Sequence, residues 1–150
     1  SVKALIGVSP QETAVAPNLT ARENLELMCG VHGFSREKTG KKTAQLAKEF
    51  DLGTILGKKA GKLSGGWQRR LSLAMALIGE PSVLFLDEPT LGLDVLATHY
   101  LEEAEARSDR IGIMGAGRLL ALGTAGELKE RAGTEKFEDA FVALVKGAEA

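Results

Sequence analysis

Two acidic residues, Asp87 and Glu88, directly follow the apolar run at 83–86, and their types and spacing suit phosphate chemistry. A short apolar run between prolines is typical of a strand that is buried on both faces in a parallel sheet. Ligands bind at the carboxyl ends of such strands. Asp87 could there hold Mg²⁺, directly or through water, and Glu88 could polarise an attacking water. A solvated acid pair at a strand end is the alternative that these two residues alone leave open.

A second candidate site for phosphate is formed by Leu63, Ser64, Gly65 and Gly66, which open an apparent helix. The N-terminus of a helix carries unpaired N–H groups and a partial positive charge, so it binds anions. The two glycines lack a Cβ and let the backbone approach a phosphate closely. The Ser64 hydroxyl can cap the helix and add a donor. An ordinary capped helix after a glycine turn is the alternative.

The order of these features is more specific than any one of them. LSGG, a helix, the strand VLFLDEPT and then GLD resemble the ATP-binding cassette (ABC) ATPase family over about residues 6–122. LSGG resembles the signature motif, VLFLDE resembles the Walker B strand, and the segment ending at Asp94 resembles the D-loop. The resemblance implies that Asp87 is the magnesium-side aspartate and Glu88 the catalytic base. Trp67 departs from the family pattern, in which glutamine often follows LSGG, and we expect this change to affect packing.

Two further residues gain roles through the same resemblance. Gln11 follows a short strand that ends before Pro10, and it resembles the Q-loop glutamine, which approaches Mg²⁺ and the attacking water and senses the membrane subunits. A neutral amide suits this role because it offers both a donor and an acceptor. An ordinary loop glutamine is the alternative. His99 resembles the H-loop histidine, which contacts the γ-phosphate from the end of a strand.

The segment between Asp94 and His99 is too short for the connection that the family has there, a helix followed by a parallel strand. A parallel crossover needs about a dozen or more residues. We therefore expect further residues between Ala97 and Thr98 in the intact protein, so that their Cα atoms lie farther apart than the ~3.8 Å of bonded neighbours. In the alternative, the chain is continuous, no strand precedes His99, and a helix starts directly there.

The glycine-rich phosphate loop GxxxxGK[ST], whose backbone and lysine bind the β- and γ-phosphates in this family, does not occur in the sequence. Residues 40–43 contain a Gly-Lys pair, but they lack the upstream glycine and follow no strand. The resemblance therefore identifies the chain as the C-terminal portion of an ABC domain, without the Walker A part.

The elements that must position these residues are indicated by apolar spacing and helix caps. The signature helix is expected at about 67–78, and two helices should precede it, one opened by a capping box at Thr20 and Glu23 and one at 36–50. The side chains expected to face the core are Leu71, Ala74, Met75 and Ile78 in the signature helix, and Ala44, Leu46, Ala47 and Phe50 in the helix at 36–50.

The end of the chain is predicted to form a hairpin and two helices. Strands are expected at 110–114 and 118–122, joined by a glycine-containing turn at 115–117. A second capping box, at Thr124 and Glu127, opens a short helix. The final amphipathic helix should span 135–145, with Phe137, Ala140, Phe141, Leu144 and Val145 directed inward.

Composition places the chain among ordinary globular domains. It has 150 residues, a net charge of −1, 44% hydrophobic and 26% charged residues, and no long basic run, which argues against nucleic acid as a partner. The lone Cys29 excludes an internal disulfide and fits a reducing compartment. No apolar run approaches the roughly 20 residues of a membrane span, and the N-terminus has no signal-peptide pattern.

The fold expected from the resemblance is α/β, the C-terminal portion of a P-loop NTPase ABC domain with a helical subdomain and part of the parallel-sheet core. Residues 1–150 then form one partial nucleotide-binding domain. We expect the helical subdomain at about 12–62, the signature, Walker B, D-loop, H-loop and hairpin at 63–122, and the C-terminal helices at 123–150.

The resemblance implies an ATP-binding and ATP-hydrolysing subunit that uses Mg²⁺ and powers export through transmembrane permease subunits or domains. A second ABC subunit, identical or different, should complete the nucleotide sites, at the cytoplasmic face of the membrane. Two alternatives remain: a truncated module that binds without catalysis, and an ABC ATPase outside transport. The short segment between Gln11 and Ser64, which lacks heptads, favours a transporter.

Overall fold

The computed structural model describes residues 6–9, 14–87 and 95–149. In these residues the chain forms four strands and six α-helices. The strands are β1 (Ile6–Ser9), β2 (Val83–Asp87), β3 (Arg110–Gly115) and β4 (Arg118–Gly123). The helices are α1 (Ala21–Val31), α2 (Arg36–Glu49), α3 (Gly65–Ala76), α4 (Val95–Arg107), α5 (Ala125–Ala132) and α6 (Phe137–Glu149).

The chain divides into two compact units. One comprises Ser1–Glu12 with Glu80–Ala150, and contains the strands. The other comprises Thr13–Gly79 and is helical. The signature helix α3 therefore belongs to the helical unit, whereas the division expected from the sequence grouped it with the strands. No helix among the described residues is long and apolar enough to cross a membrane.

The sheet has the order β1-β2-β3-β4 and is mainly parallel. β1 runs parallel to β2, with Ile6 opposite Val83, and β2 runs parallel to β3. β4 completes the sheet as an antiparallel partner of β3. The predicted α/β class with a parallel sheet core is therefore confirmed.

The connection from β2 to β3 corrects the prediction of missing residues after Ala97. Helix α4 runs without a break through Ala97 and Thr98, so that prediction is wrong. The chain is continuous, as in the alternative, but the helix begins at Val95 and not at His99. Alanine, leucine and glutamate, which favour helix, dominate the segment, and one helix is enough to return the chain for a parallel strand. β3 consequently pairs directly with β2, Leu84 opposite Ile111. His99 lies inside α4, and the described residues directly before it, 95–98, are helical rather than part of a strand.

The core of the strand-containing unit is built from the middle of the sheet and the helices that cover it. Helix α6 packs against α4, α5, β3 and β4. Leu84 and Leu86 are fully buried, but Val83 and Phe85 are only half-buried, so β2 is not covered completely on both faces as predicted. The other fully or almost fully buried apolar side chains of this unit include Leu101, Ala104, Ile111, Ile113, Leu128, Phe137, Ala140, Phe141 and Val145.

The hairpin of β3 and β4 has a shorter turn than predicted, because β3 continues to Gly115. The two turn residues, Ala116 and Gly117, have φ values of 48° and 73°. Two consecutive residues with positive φ give a turn whose twist matches that of the two strands. Helix α6 also differs from its prediction, since it begins at Phe137 and continues to Glu149. Leu144, which was expected to face inward, is half-buried.

The helical unit is held together by α1, which packs against α2 and α3. The predicted core side of α2 is correct for Leu46, Ala47 and Phe50, but Ala44 is exposed and Thr43 is buried instead. Positions 43, 46, 47 and 50 recur at intervals of three and four, whereas residue 44 lies about 100° around the helix from residue 43. The predicted core residues of α3, Leu71, Ala74, Met75 and Ile78, are all buried.

Candidate functional site

The N-terminus of α3 is exposed and capped, as the signature motif predicts. Ser64 is extended, with φ −61° and ψ 159°, and its Oγ accepts a hydrogen bond of 3.4 Å from the backbone N–H of Trp67. The first turn contains no acidic side chain. A Cβ placed on Gly65 would meet nothing within 4 Å, so the space in front of this residue is open. This end of α3 can therefore receive an anion.

The turn that leads into Ser64, here called the signature turn (residues 60–63), is short and hydrogen-bonded. Ala60–Lys62 form one turn of 3₁₀-helix, in which the N–H of Leu63 donates to the carbonyl of Ala60 over 3.1 Å. Leu63 then extends, with φ −75° and ψ 151°, before α3 begins. Ala60 is fully buried. The orientation of Ser64 at the start of α3 therefore depends on Ala60–Lys62, which precede the signature motif.

Gln68, in the second turn of α3, binds the signature turn from the helix side. Its Nε2 donates to the carbonyl of Ala60 over 2.9 Å and to the carbonyl of Leu63 over 3.3 Å. Its backbone N–H donates to the carbonyl of Ser64 over 3.0 Å, the first turn-closing bond of the helix. One residue therefore contacts the carbonyls on either side of the bend.

The linking segment (residues 14–20), which lies between Gln11 and α1 in sequence, holds the signature turn from the other side. The N–H of Ala60 donates to the carbonyl of Leu19 over 2.8 Å, and the N–H of Gly61 donates to the carbonyl of Pro17 over 2.9 Å. A Cβ on Gly61 would lie 3.0 Å from both the Cβ and the carbonyl oxygen of Pro17. The two segments are in such close contact that only glycine fits at position 61 without a shift.

Asn24, which is fully buried in α1, fixes the linking segment to the helical unit. Its Oδ1 accepts from the N–H of Ala16 over 2.7 Å. Its Nδ2 donates to the carbonyls of Ala16, Leu19 and Thr20 over 3.1, 3.3 and 2.9 Å. Since both ends of the buried amide are hydrogen-bonded, its desolvation is compensated, and the N–H of Ala16 gains an acceptor.

Trp67 shows what the departure from the family pattern does to the structure. The guanidinium of Arg70 lies over its indole ring, 5.0 Å from the ring centroid. Arg70 also donates from Nη1 to the carbonyl of Phe50 over 3.3 Å, which links α3 to the end of α2. The expected effect of Trp67 on packing agrees with this contact.

Asp87 is the last residue of β2, at the carboxyl end of a parallel strand. Ser9 at the end of β1 stands opposite Leu86, so β1 and β2 end at the same edge of the sheet. Gln11, Glu88 and Asp94, the other predicted site residues of this region, lie outside the described residues. His99 lies in the second turn of α4 rather than at a strand end, which is where the resemblance had implied it.

Asp87 provides the type of ligand atom, a carboxylate oxygen, that suits Mg²⁺. A carboxylate at the carboxyl end of a parallel strand is the hard oxygen ligand that Mg²⁺ takes, and this ion commonly needs only one or two protein carboxylates besides water and phosphate oxygens. Among residues 6–9, 14–87 and 95–149, no three histidine, cysteine or acidic residues form a metal-binding group. Asp87 is accordingly the candidate ligand.

Three residues of this region, Asn24, Gly61 and Gln68, were not singled out in the sequence. Each makes its contacts with backbone atoms of another segment, and a sequence pattern carries no information about such partners. A glutamine one turn after a helix cap, close to a glycine turn, is the feature that could have drawn attention to Gln68.

Comparison with known proteins gives a consistent result. Residues 1–91 match the family model described as ABC transporter. The daunorubicin resistance ATP-binding protein DrrA3 of Streptomyces coeruleorubidus is 38% identical over an aligned region that covers 92% of this chain and 50% of that protein. The doxorubicin resistance ATP-binding protein DrrA of Mycobacterium tuberculosis is 39% identical over a region that covers 88% of this chain and 46% of that protein.

A plant protein and a solved structure match as well. ABC transporter A family member 11 of Arabidopsis thaliana is 37% identical over an aligned region that covers 97% of this chain and 17% of that protein. A solved structure of an ATP-binding subunit of an ABC transporter superposes with a TM-score of 0.58 at 25% identity, covering 95% of this chain and 69% of the other. The chain thus spans about half the length, or less, of the curated relatives named here.

Proposed function

Since the chain belongs to the ABC transporter family of ATP-binding proteins, we propose that it is part of a subunit that binds and hydrolyses ATP and drives the export of a substrate through transmembrane partners. The names of the bacterial relatives, which are drug-resistance ATP-binding proteins, support export as the direction of transport. In this proposal the protein works at the cytoplasmic face of the membrane, in contact with permease subunits.

The observation that carries the proposal is the exposed N-terminus of α3. Ser64 and Gly65 are exposed to solvent, the first turn has no acid, and the helix end offers N–H groups and a partial positive charge. In a pair of ABC subunits, Ser64, Gly65 and Gly66 of one copy would bind the phosphates of the ATP held by the other copy. Leu63 and Asp94 would border the same contact.

The chemical step is assigned to Glu88, with Asp87, Gln11 and His99 in supporting roles. Glu88 accepts a proton from the attacking water, whose oxygen bonds to the γ-phosphorus while the bond to ADP breaks. Asp87 would hold Mg²⁺, which would neutralise charge on the phosphate oxygens. Gln11 would orient the attacking water through its amide and contribute to binding the ion. The contact of His99 with the γ-phosphate is proposed on local sequence alone, because His99 lies within α4.

A second candidate function is a binding module that does not catalyse hydrolysis. The observation in its favour is the absence of GxxxxGK[ST] from the 150 residues of the sequence. The backbone and lysine of that loop supply most contacts to the β- and γ-phosphates in this class of ATPase. Activity therefore has to be tested in the full-length protein. An ABC ATPase outside transport is distinguished by the partners, since only a transporter subunit should recover membrane permease subunits.

Replacement of the base tests the proposed hydrolysis. We expect Glu88→Gln to bind ATP normally and to hydrolyse it more slowly by a factor of about 10²–10⁴, because the amide keeps the shape of the side chain but cannot accept the proton. The measurement is steady-state phosphate release by the full-length protein, together with equilibrium ATP binding. Glu103→Gln is the matched control, since Glu103 forms only a half-exposed pair with Arg107 at 3.0 Å. Hydrolysis by Glu88→Gln at the wild-type rate would contradict the assignment.

A further inference from the structure

Gln68 is placed to control the bend between the signature turn and α3. Its side-chain amide bridges the carbonyls of Ala60 and Leu63, at 2.9 and 3.3 Å, and its own backbone bonds to Ser64. These three partners lie at the start of the turn, at its end and at the helix cap. The bridge therefore spans the whole bend.

The bridge needs a donor and cannot be replaced by apolar packing. Both partners are carbonyl oxygens, which accept hydrogen bonds and repel another acceptor. Gln68 is half-buried, so loss of its amide would remove the side-chain donor from the Leu63 carbonyl and leave the Ala60 carbonyl with the N–H of Leu63 alone, where access to water is restricted. The helix would then be free to change its angle relative to the turn.

The other side of the turn is already fixed. The carbonyls of Leu19 and Pro17 accept from the N–H groups of Ala60 and Gly61, at 2.8 and 2.9 Å. The linking segment holds Ala60 and Gly61 in place through these hydrogen bonds. The bridge from Gln68 then fixes the orientation of α3 relative to Ala60, in addition to any effect that it has on the stability of the helix. The direction of the Ser64 hydroxyl and of the Gly65 N–H follows from this connection.

We propose that Gln68 is a positioning residue for the signature motif: by binding the carbonyls of Ala60 and Leu63 it sets the direction in which Ser64, Gly65 and Gly66 present their donors to phosphate. The proposal rests on the proposed function, because it takes the target of these donors to be the nucleotide phosphates. Gln68 itself does not touch the reacting atoms in this account.

Three variants of Gln68 in the full-length protein distinguish the effect of the hydrogen-bond donor from the effect of side-chain size. Gln68→Leu removes both donors and Gln68→Glu keeps the shape but offers only acceptors, whereas Gln68→Lys restores a donor group. Leucine, glutamate and lysine have helix propensities close to that of glutamine, so α3 itself is retained. Gln45→Leu is the control, because Gln45 lies exposed on α2 and its amide binds only Glu49, at 2.9 Å.

The first measurement is amide hydrogen exchange in peptides that cover residues 60–68. We expect exchange to be about tenfold faster in Gln68→Leu and Gln68→Glu, the effect of losing about one net hydrogen bond, and close to wild type in Gln68→Lys and Gln45→Leu. The second measurement is ATP hydrolysis, where we expect kcat to fall by about tenfold in the two donor-free variants and to recover in Gln68→Lys.

The outcomes separate this inference from the proposed function. Unchanged exchange in both donor-free variants overturns the positioning role, whatever happens to hydrolysis. Faster exchange with an unchanged kcat also overturns the proposal, since the bend would then be irrelevant to phosphate. If the wild-type protein does not hydrolyse ATP, the proposed function fails and with it the phosphate part of the inference, while the exchange data still decide whether Gln68 fixes the bend.

Discussion

Gly61 allows little room for a side chain, because its backbone lies against Pro17. We expect Gly61→Ala to lower the free energy of unfolding by about 1–3 kcal/mol, because the added Cβ would lie 3.0 Å from two atoms of Pro17 and one of the segments must shift. Urea unfolding measures the change. Gly57→Ala is the control, since a Cβ there meets nothing within 4 Å. Equal effects of the two substitutions would show that the contact with Pro17 is not tight.

Cys29 allows a test of burial through its protonation. The side chain is fully buried, and this burial raises the pKa of the Cys29 thiol above its ordinary value of 9.0, although the charge of Lys42 acts in the opposite direction. The folded state therefore keeps the proton to a higher pH than the unfolded state. The resulting stabilisation is fully present below the ordinary pKa of 9.0 and is lost as the pH rises through the raised pKa of the folded state.

Two measurements check this expectation for Cys29. In the native protein at pH 8 the thiol should react with a thiol reagent far more slowly than in urea. The free energy of unfolding should also fall more steeply above about pH 9 in the wild type than in Cys29→Ala. Fast labelling of the native protein would contradict the burial of this side chain.

At the level of the elements, two capping boxes define where helices begin. The Oγ1 of Thr20 accepts from the N–H of Glu23 over 3.1 Å, and Glu23 accepts in return from the N–H of Thr20 over 2.7 Å. Thr124 and Glu127 repeat this arrangement at the start of α5, at 3.1 and 2.8 Å. Thr20→Ala and Thr124→Ala should each cost about 1 kcal/mol, as measured by urea unfolding. Thr20→Ser and Thr124→Ser, which keep the hydroxyl, should remain within a few tenths of the wild type.

The elements could be predicted well because their causes are local in sequence. The caps at Thr20, Ser64 and Thr124 and the apolar run of β2 each depend on residues within a few positions of one another, and the structure contains all of them. The position of His99 could not be predicted in the same way. Whether it ends a strand or lies inside a helix depends on which strands pair with β2, and these partners, β1 and β3, are far from His99 or follow it in sequence.

The candidate site was predictable only in part, for the same reason. The signature motif and the strand that ends at Asp87 have local patterns. Asn24 and Gln68 act through carbonyls of other segments, and nothing in the identity of Ala16 or Ala60 indicates that their backbone atoms will be partners. The exposure of Ala44 is a related case, because the side of α2 that is buried is chosen by its packing against α1.

For the whole molecule, the sequence predicts weak binding of nucleotide by these 150 residues alone. The phosphate loop supplies most contacts to the β- and γ-phosphates, and its pattern is absent from the sequence, so the N-terminus of α3 would have to bind the phosphates without it. Isothermal titration of the 150-residue chain with Mg-ATP should show no micromolar binding, while the full-length protein serves as the positive control. A micromolar dissociation constant would show that another phosphate site exists.

The pairing of β1 with β2 has a consequence for the order of folding. Ile6 pairs with Val83, and the whole Thr13–Gly79 unit lies between these two residues in sequence. By contrast, β3 and β4 are connected by two residues, and β2 and β3 are connected through one helix. Contacts between positions far apart in sequence cost more loop-closure entropy and form more slowly. We therefore expect β2, β3 and β4 to associate first, and β1 to join the sheet last, as the step that sets the overall folding rate.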